Sequence, residues 1–235
     1  MSFQGKNYLV VGASSGIGRE VAQRLIDQGA SVYSASRQQP EGLTIARHFT
    51  FEALTPDTST FAELPDVLHG LVYCPGTINL KPFNRLSLDE FRNDFQINVV
   101  GAVAVLQACL NPLKKAEGAS VVLFSTVAAK VGMSFHSSVS ASKGAIEGLA
   151  KSLAAEWAPS QIRVNAVAPS LTDTPMGHFL VNTPEKVDSS NKRHPLGRYG
   201  QPADIAAMST FLLSDDAGWI TGQIFGVDGG MGNLK

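Results

Sequence analysis

The run Val11-Gly12-Ala13-Ser14-Ser15-Gly16-Ile17-Gly18 offers backbone rather than side-chain chemistry. It follows a short β-branched segment and precedes a stretch, 19–27, with a helical pattern. In that setting exposed N–H groups and the positive end of a helix dipole receive a pyrophosphate. Gly12 permits a tight turn, Gly16 lets the backbone approach phosphate, and Gly18 allows a helix to pack closely on a sheet. The position between strand and helix favours a dinucleotide-binding turn, Ser14, Ser15 and Ile17 included, over a plain connection. Some twenty residues on, Ser34-Ala35-Ser36-Arg37 lacks the acid that would hold a ribose 2′-hydroxyl. Small Ser36 leaves room for a 2′-phosphate and Arg37 brings a fork of donors suited to it, so the sequence favours NADP(H) over NAD(H). The alternative for Arg37 is an ordinary exposed loop arginine. Cys74 and Cys109 make neither a disulfide framework nor a zinc site, and no metal is expected.

A chain of 235 residues, 44% hydrophobic, is long enough for one packed core, and 1–235 reads as a single domain. A formal charge of −1 gives no footprint for nucleic acid or an acidic membrane surface. The longest nearly uninterrupted apolar run, 99–106, is far short of the ~20 residues that span a bilayer, and the first seven residues hold no signal-peptide core, so a cytoplasmic protein is expected. Short β-branched runs alternate with longer amphipathic ones, the pattern of crossovers in a parallel sheet. Strands are expected over 7–11, 31–34, 48–52, 70–73, 120–124, 163–167 and 224–227, which makes an α/β, doubly wound, seven-stranded sheet with helices on both faces. Ser87-Leu88-Asp89-Glu90 is a capping box opening a helix that should lie on the sheet through Phe95, Val99, Val103 and Leu106. The nine residues between Arg37 and Arg47, Pro40 and Gly42 among them, leave little room for a second crossover helix. Residues 175–200 read as a long excursion serving as a substrate lid, with Met176, Phe179, Leu180 and Val181 as its apolar cluster.

The spacing G-x-x-x-G-x-G resembles the short-chain dehydrogenase/reductase family, and later segments agree in order. Phe95-Gln96-Ile97-Asn98-Val99 is similar to the family's helix with an active-site asparagine, and Ser142-Lys143-Gly144-Ala145 to the stretch carrying its lysine. Asn165 and Pro169 lie in a likeness of its sixth strand, Thr172-Asp173-Thr174-Pro175-Met176 of the cofactor-contacting loop after it, and Val227-Asp228-Gly229-Gly230 of its C-terminal signature. The resemblance implies a Rossmann-type domain, a nicotinamide dinucleotide touching Gly76, Lys143, Pro169 and Thr174 as well as the glycine turn, and a homotetramer or homodimer.

In that family a tyrosine four residues before the lysine exchanges the substrate proton, and a serine thirteen residues before the tyrosine polarises the oxygen. Carried over, Lys143 and Asn98 are present, Thr126 takes the serine position and Val139 the tyrosine position. Valine can neither donate nor ionise. Two further departures are Tyr73-Cys74-Pro75-Gly76, for Asn-Asn-Ala-Gly, and Ser170, for a glycine. Of the four tyrosines Tyr73 is best placed as a substitute, although a structural role suits it better. His136, seven residues before Lys143, brings an imidazole and is a candidate proton donor beside a lysine-linked water. The implied activity is hydride transfer between NADP(H) and a small apolar carbonyl, alcohol or activated alkene, with Asn98, Thr126, Lys143 and His136 as catalytic candidates. The alternative is a dinucleotide-binding sensor or scaffold with little turnover. The resemblance implies that the helix over 140–158, with Ala145, Leu149, Leu153 and Trp157 at helical spacing, pairs with its copy across a subunit interface, core packing against the sheet being the alternative for that stripe and compatible with it, and the apolar C-terminus from Phe225 is consistent with a second interface.

Overall fold

The computed structural model describes residues 2–234. Strands β1 (Asn7–Val11), β2 (Ser31–Ser36), β3 (Arg47–Thr50), β4 (Gly70–Tyr73), β5 (Ser120–Phe124), β6 (Arg163–Pro169) and β7 (Ile224–Val227) form one sheet in the order β3-β2-β1-β4-β5-β6-β7. Every pairing is parallel. The sheet grows outward from β1 to β3 and restarts at β4 on the other side of β1. That reversal opens a crevice at the carboxyl ends of β1 and β4, where ligands of doubly wound sheets bind.

Four of the seven expected strands match in both bounds. The second and sixth run two residues further, to Ser36 and Pro169, and the third covers Arg47–Thr50 rather than 48–52. The extension of β2 has a clear cause, because Ala35 and Ser36 find ladder partners in Phe49 and Thr50 that local composition cannot reveal.

Helix α1 (Gly16–Asp27) packs on one face of the sheet with α7 (Pro202–Leu213), while α2 (Leu88–Phe95), α3 (Gly101–Lys114) and α5 (Ser137–Trp157) cover the other. Two apolar clusters follow: Val21, Leu25, Ile205 and Leu212 with one set of strand side chains, Leu106, Leu113, Ile146 and Trp157 with the alternate set. Both faces of the central strands are thereby dry, as their near-continuous apolar runs require. The Ser87 capping box forms, its hydroxyl accepting from Glu90 N–H at 3.1 Å. Helices α2 and α3 join without a break into a 27-residue stretch, Leu88–Lys114, long and apolar enough by composition to cross a membrane. Here it lies on the sheet, with Ala102, Val105, Leu106, Cys109 and Leu113 buried.

The connection from β2 to β3 carries no helix, as its length implied, and β3 reaches β4 through a 3₁₀ turn, Ser59–Glu63. A four-residue turn of helix, α4 (Val127–Lys130), precedes α5, and α7 spans Pro202–Leu213. The expected excursion over 175–200 is more ordered than a loop. It contains α6 (Pro184–Arg193), opened by Thr183, whose hydroxyl accepts from Lys186 N–H, and by Pro184 at its first turn. The Thr/Pro/Glu pattern that starts this helix is present in the sequence, but its polar composition masks it.

Candidate functional site

The glycine turn is built by sterics. Gly12 has φ +84° and Gly16 φ +54°, and a Cβ on Gly12 would lie 3.1 Å from Cys74 Cβ. A Cβ on Gly18 would fall inside contact distance of the Gly12 carbonyl oxygen, so helix α1 sits this close to β1 only because position 18 has no side chain. Ser15, at the start of α1, makes no side-chain cap, and the first turn holds no acidic residue. By contrast α2 and α6 are capped by Ser87 and Thr183. The free N–H groups and positive end of α1 therefore face the crevice uncompensated, which suits an anionic phosphate.

The crevice is a cleft of about 430 Å³, within the ~300–1,000 Å³ typical of small-ligand sites. Gly12, Ser14, Ser15, Gly16, Ile17 and Gly18 line one wall, and Ser36, Arg37 and Glu52 close its far end. Ser36 turns its hydroxyl to the carbonyl of Gln38 at 2.7 Å. Arg37 is exposed, and its Nε lies 3.9 Å from Glu52. Glu52 is a cleft residue that the sequence reading missed, since only the pairing of β3 with β2 carries it there.

A second cavity of about 230 Å³ adjoins the first. Ile17, Cys74, Gly76, Thr77, Thr174 and Met176 line both. Its walls include Thr126, Val139, Lys143, His136, Pro169 and Ser170. Thr126 stands at the start of α4, where its hydroxyl accepts from Ala128 N–H and donates over 3.5 Å to Pro169 O, a long contact easily exchanged for a ligand. Neighbouring Ser125 turns away to Glu147, at 2.6 Å.

At the junction of the two spaces sits Lys143, 8% exposed. Burial pulls its ammonium down to a pKa of about 8, against the opposing pull of Cys74 and Asp94. Asp94 is buried and accepts from Asn79 Nδ2 at 2.7 Å and Ser138 Oγ at 2.6 Å. The Cys74 thiol is itself pushed up to about 12 by burial, so it stays neutral. Between α2 and α3 the backbone makes one π-type turn, Gln96–Val100, which carries Asn98. Such turns insert a residue into a helix and redirect side chains, often at functional sites. The Asn98 amide donates to Thr77 Oγ1 (3.1 Å) and Ser142 Oγ (3.0 Å), while its buried Oδ1 has no partner among the described residues. A Cβ on Gly76 would fill the space beside it, 3.2 Å from Asn98 Oδ1 and 3.3 Å from Lys143 Nζ. An orphaned acceptor, a lysine and a glycine-made gap on one spot fit the polar edge of a bound ribose or its water.

The tertiary structure thus gathers Asn98, Thr126, Lys143 and His136 around contiguous spaces that also meet Gly76, Pro169 and Thr174. Tyr73 is not among them. Its ring is buried in the core, and its hydroxyl donates to Ile97 O at 2.6 Å, so burial drives its pKa upward. His136 immediately precedes α5 after Phe135, which has φ +69°, and its Nδ1 lies 2.7 Å from Ser134 O. Of the expected lid cluster, Met176 and Leu180 reach the cavity. Phe179 points outward and Val181 is buried beneath. Thr77, Asp94, Ser138 and the Ser142 hydroxyl were not singled out in the sequence, because nothing in their spacing separates a buried network from a polar helix face.

Along α5 the stripe expected at an interface turns inward: Trp157 is buried in the core, Leu149 and Leu153 pack half-buried against it, and Ala145 is half-buried, while the open face carries Ala141, Gly144, Gly148 and Ala155.

Known proteins of several activities share this design. The family described as Enoyl-(Acyl carrier protein) reductase matches residues 12–232. A tropinone reductase homolog of Arabidopsis thaliana is 33% identical, over 98% of this chain and 94% of its own length. The L-xylulose reductase of Bos taurus is 33% identical, over 96% of each chain. A short-chain type dehydrogenase/reductase from Mycobacterium ulcerans superposes with a TM-score of 0.91 at 30% identity, covering 100% of this chain and 92% of that one. A chain described as an NAD(P)-dependent gluconate 5-dehydrogenase from Beutenbergia cavernae, with NADP bound at low occupancy, gives 0.90 at 26% identity and 98% coverage of both.

Proposed function

Because the chain belongs to the short-chain dehydrogenase/reductase family, an oxidoreductase family that binds nicotinamide dinucleotides, we propose that it is an NADP(H)-dependent reductase of a small apolar carbonyl or activated alkene, or the corresponding alcohol dehydrogenase. The observation that carries this reading is Lys143, buried and lowered toward neutrality where the glycine-walled cleft opens into the second cavity. The cofactor, when bound, supplies or accepts the hydride. Gly12, Gly16 and the first turn of α1 hold its phosphates through backbone N–H groups. Ser36 and Arg37 favour a 2′-phosphate, with Arg37 exchanging the distant Glu52 carboxylate for a closer anion.

Lys143 binds ribose hydroxyls and places positive potential beneath the reacting oxygen. Thr126 turns its hydroxyl from Pro169 O to that oxygen. Asn98 holds a water at its free Oδ1. Val139, buried at the position where the family carries tyrosine, leaves proton exchange to another group on the wall, His136 or its neighbours. The apolar lining by Ile78, Leu80, Met133 and Leu180 suits a hydrophobic substrate. The relatives named for ketone and sugar reduction support a carbonyl substrate, and the enoyl reductase family description supports an alkene.

We also propose a homotetramer or homodimer in the cytoplasm. The open face of α5 lies beside α2 and the π turn, where Phe95 and Val100 are 37% and 46% exposed. Small residues there allow close helix approach, and the apolar pair gains by burial.

The test is NADPH oxidation with a panel of diketones, quinones and enones, for the native protein and Val139→Tyr, alongside an NADPH titration. Native turnover is expected, raised about 10²-fold or more for a carbonyl by the tyrosine variant. Tight NADPH binding without turnover in the native protein sinks the enzyme reading and leaves a cofactor-binding sensor.

A further inference from the structure

We propose that Ser170 and His194 form a proton relay for the reduction in the second cavity, Ser170 touching the substrate oxygen and His194 supplying the proton behind it; this rests on the reductase reading above. Both residues line the cavity with Thr126 and Lys143. Ser170 follows the last residue of β6, Pro169, whose carbonyl accepts from Thr126, so it stands on the same rim. His194 follows the last turn of α6, and its ring is 3% exposed.

The partners of the ring assign its protons. Nδ1 lies 2.7 Å from the carbonyl oxygen of Ser190. A carbonyl only accepts, so Nδ1 carries hydrogen whether the ring is neutral or charged. Nε2 lies 2.8 Å from Ser170 Oγ. In the neutral ring Nε2 must accept, and the Ser170 hydroxyl donates to it, leaving an oxygen lone pair toward the cavity. In the imidazolium Nε2–H donates to Ser170 Oγ and frees the hydroxyl hydrogen. Its only other acceptor among the described residues is Met231 Sδ, 3.1 Å away and weak. Protonation of His194 thus switches Ser170 from acceptor to donor on its cavity side. The titratable and charged groups around the pair are Arg193 beside it in the chain, Lys143 and His136 on the cavity wall, and Asp228 on the segment packed against the ring. The Asp228 carboxylate accepts from Gly230 N–H and Gly232 N–H, each at 2.9 Å.

The step balances as follows. A substrate carbonyl carbon gains the hydride that the reduced cofactor supplies, and the carbonyl π electrons move to oxygen. That oxygen takes the hydroxyl proton of Ser170, whose Oγ takes the Nε2 proton of His194. The ring is left neutral with Nδ1–H still on Ser190 O, and it regains a proton from solvent through the open cavity after product leaves. Alcohol oxidation runs the same transfers backward.

Two readouts test the relay in the full-length protein. Nitrogen-15 NMR of the cofactor-free protein should show His194, when neutral, protonated at Nδ1, with an Nε2 signal that moves in Ser170→Ala; a neutral ring protonated at Nε2 overturns the proposal. In steady-state reduction, native kcat should fall as pH rises and the ring loses its second proton. Ser170→Ala should lower kcat about 100-fold and erase that limb while NADPH affinity stays within about threefold, and Ser170→Thr should restore at least a tenth of the rate. Ser170 carries this arm because removing the buried His194 ring also cuts the tie between α6 and β6. An unchanged limb in Ser170→Ala, or its loss in His136→Ala alone, overturns the relay and leaves the reductase reading standing. Absence of any native turnover overturns both.

Discussion

The glycine-walled cleft and the cavity beside it share a wall yet are made differently. The cleft is backbone: a turn with positive φ at Gly12 and Gly16, a helix end without a side-chain cap, and a helix pressed on a strand at Gly18. The cavity is side chains brought from β5, α5, β6, α6 and the C-terminal turn, among them Thr126, Val139, Ser170, His194 and Met231. A wall of backbone admits few substitutions, since an added methyl meets main chain that cannot step aside. A wall of side chains can exchange valine for tyrosine or serine for glycine and keep the fold. Cofactor binding and reaction chemistry can therefore change independently on one scaffold.

The strongest challenge to this contrast is Gly18→Ala. The new Cβ meets the Gly12 carbonyl oxygen, which is main chain. The expected result is a loss of about 1–3 kcal/mol of stability together with at least about tenfold weaker NADPH binding, read from urea midpoints and a fluorescence titration. An alanine variant that binds as well as the native protein would break the backbone account.

At the junction, Lys143→Met separates folding from function. The lysine pKa is about 8 when folded against 10.5 when unfolded, so above pH 8 the unfolded chain binds more protons and native stability rises with pH up to about 10.5. Below pH 8 the buried charge is a cost of at most about 3 kcal/mol. Lys143→Met should therefore be more stable than the native protein near pH 7, by an amount that shrinks between pH 8 and 10.5, while turnover is lost. Denaturant melts across that window check it, and a gap independent of pH would mean the lysine is not held in a desolvating position.

Arg37→Ala probes the exposed end of the cleft, where the smallest effect is expected. It should weaken NADPH binding about tenfold and leave NADH binding unchanged, because only the 2′-phosphate meets the guanidinium. Equal weakening of both cofactors would move the 2′-phosphate contact elsewhere.

The same division explains which features were readable from local pattern. The strand-turn-helix around Gly12, the alternation of strands and helices, and the cap at Ser87 are each written within a few neighbouring residues. Backbone sterics and helix ends obey local rules, so those readings matched the structure. Lys143, Asn98 and Thr126 could be named from the chain because each holds a fixed place in a motif that the chain resembles, and the fold sets Lys143 and Thr126 on the wall of the second cavity. Asp94 was not, since an acid in a helix after a capping box reads as a solvated face until Ser138 and Asn79 close over it. Tyr73 shows the converse, a residue at a ligand-facing strand end whose side chain the pleat turns into the core.

By itself the sequence determined the doubly wound sheet, the glycine turn between β1 and α1 and the absence of an ionisable group at position 139, all consequences of residue type and short-range spacing. Only the tertiary structure decided that Glu52 reaches Arg37, that Asn98 keeps an unpaired oxygen next to Gly76, and that His194 stands behind Ser170. Those arrangements join residues 15 to 24 positions apart, and their distances depend on strand register, a π turn and helix packing, which no local pattern encodes.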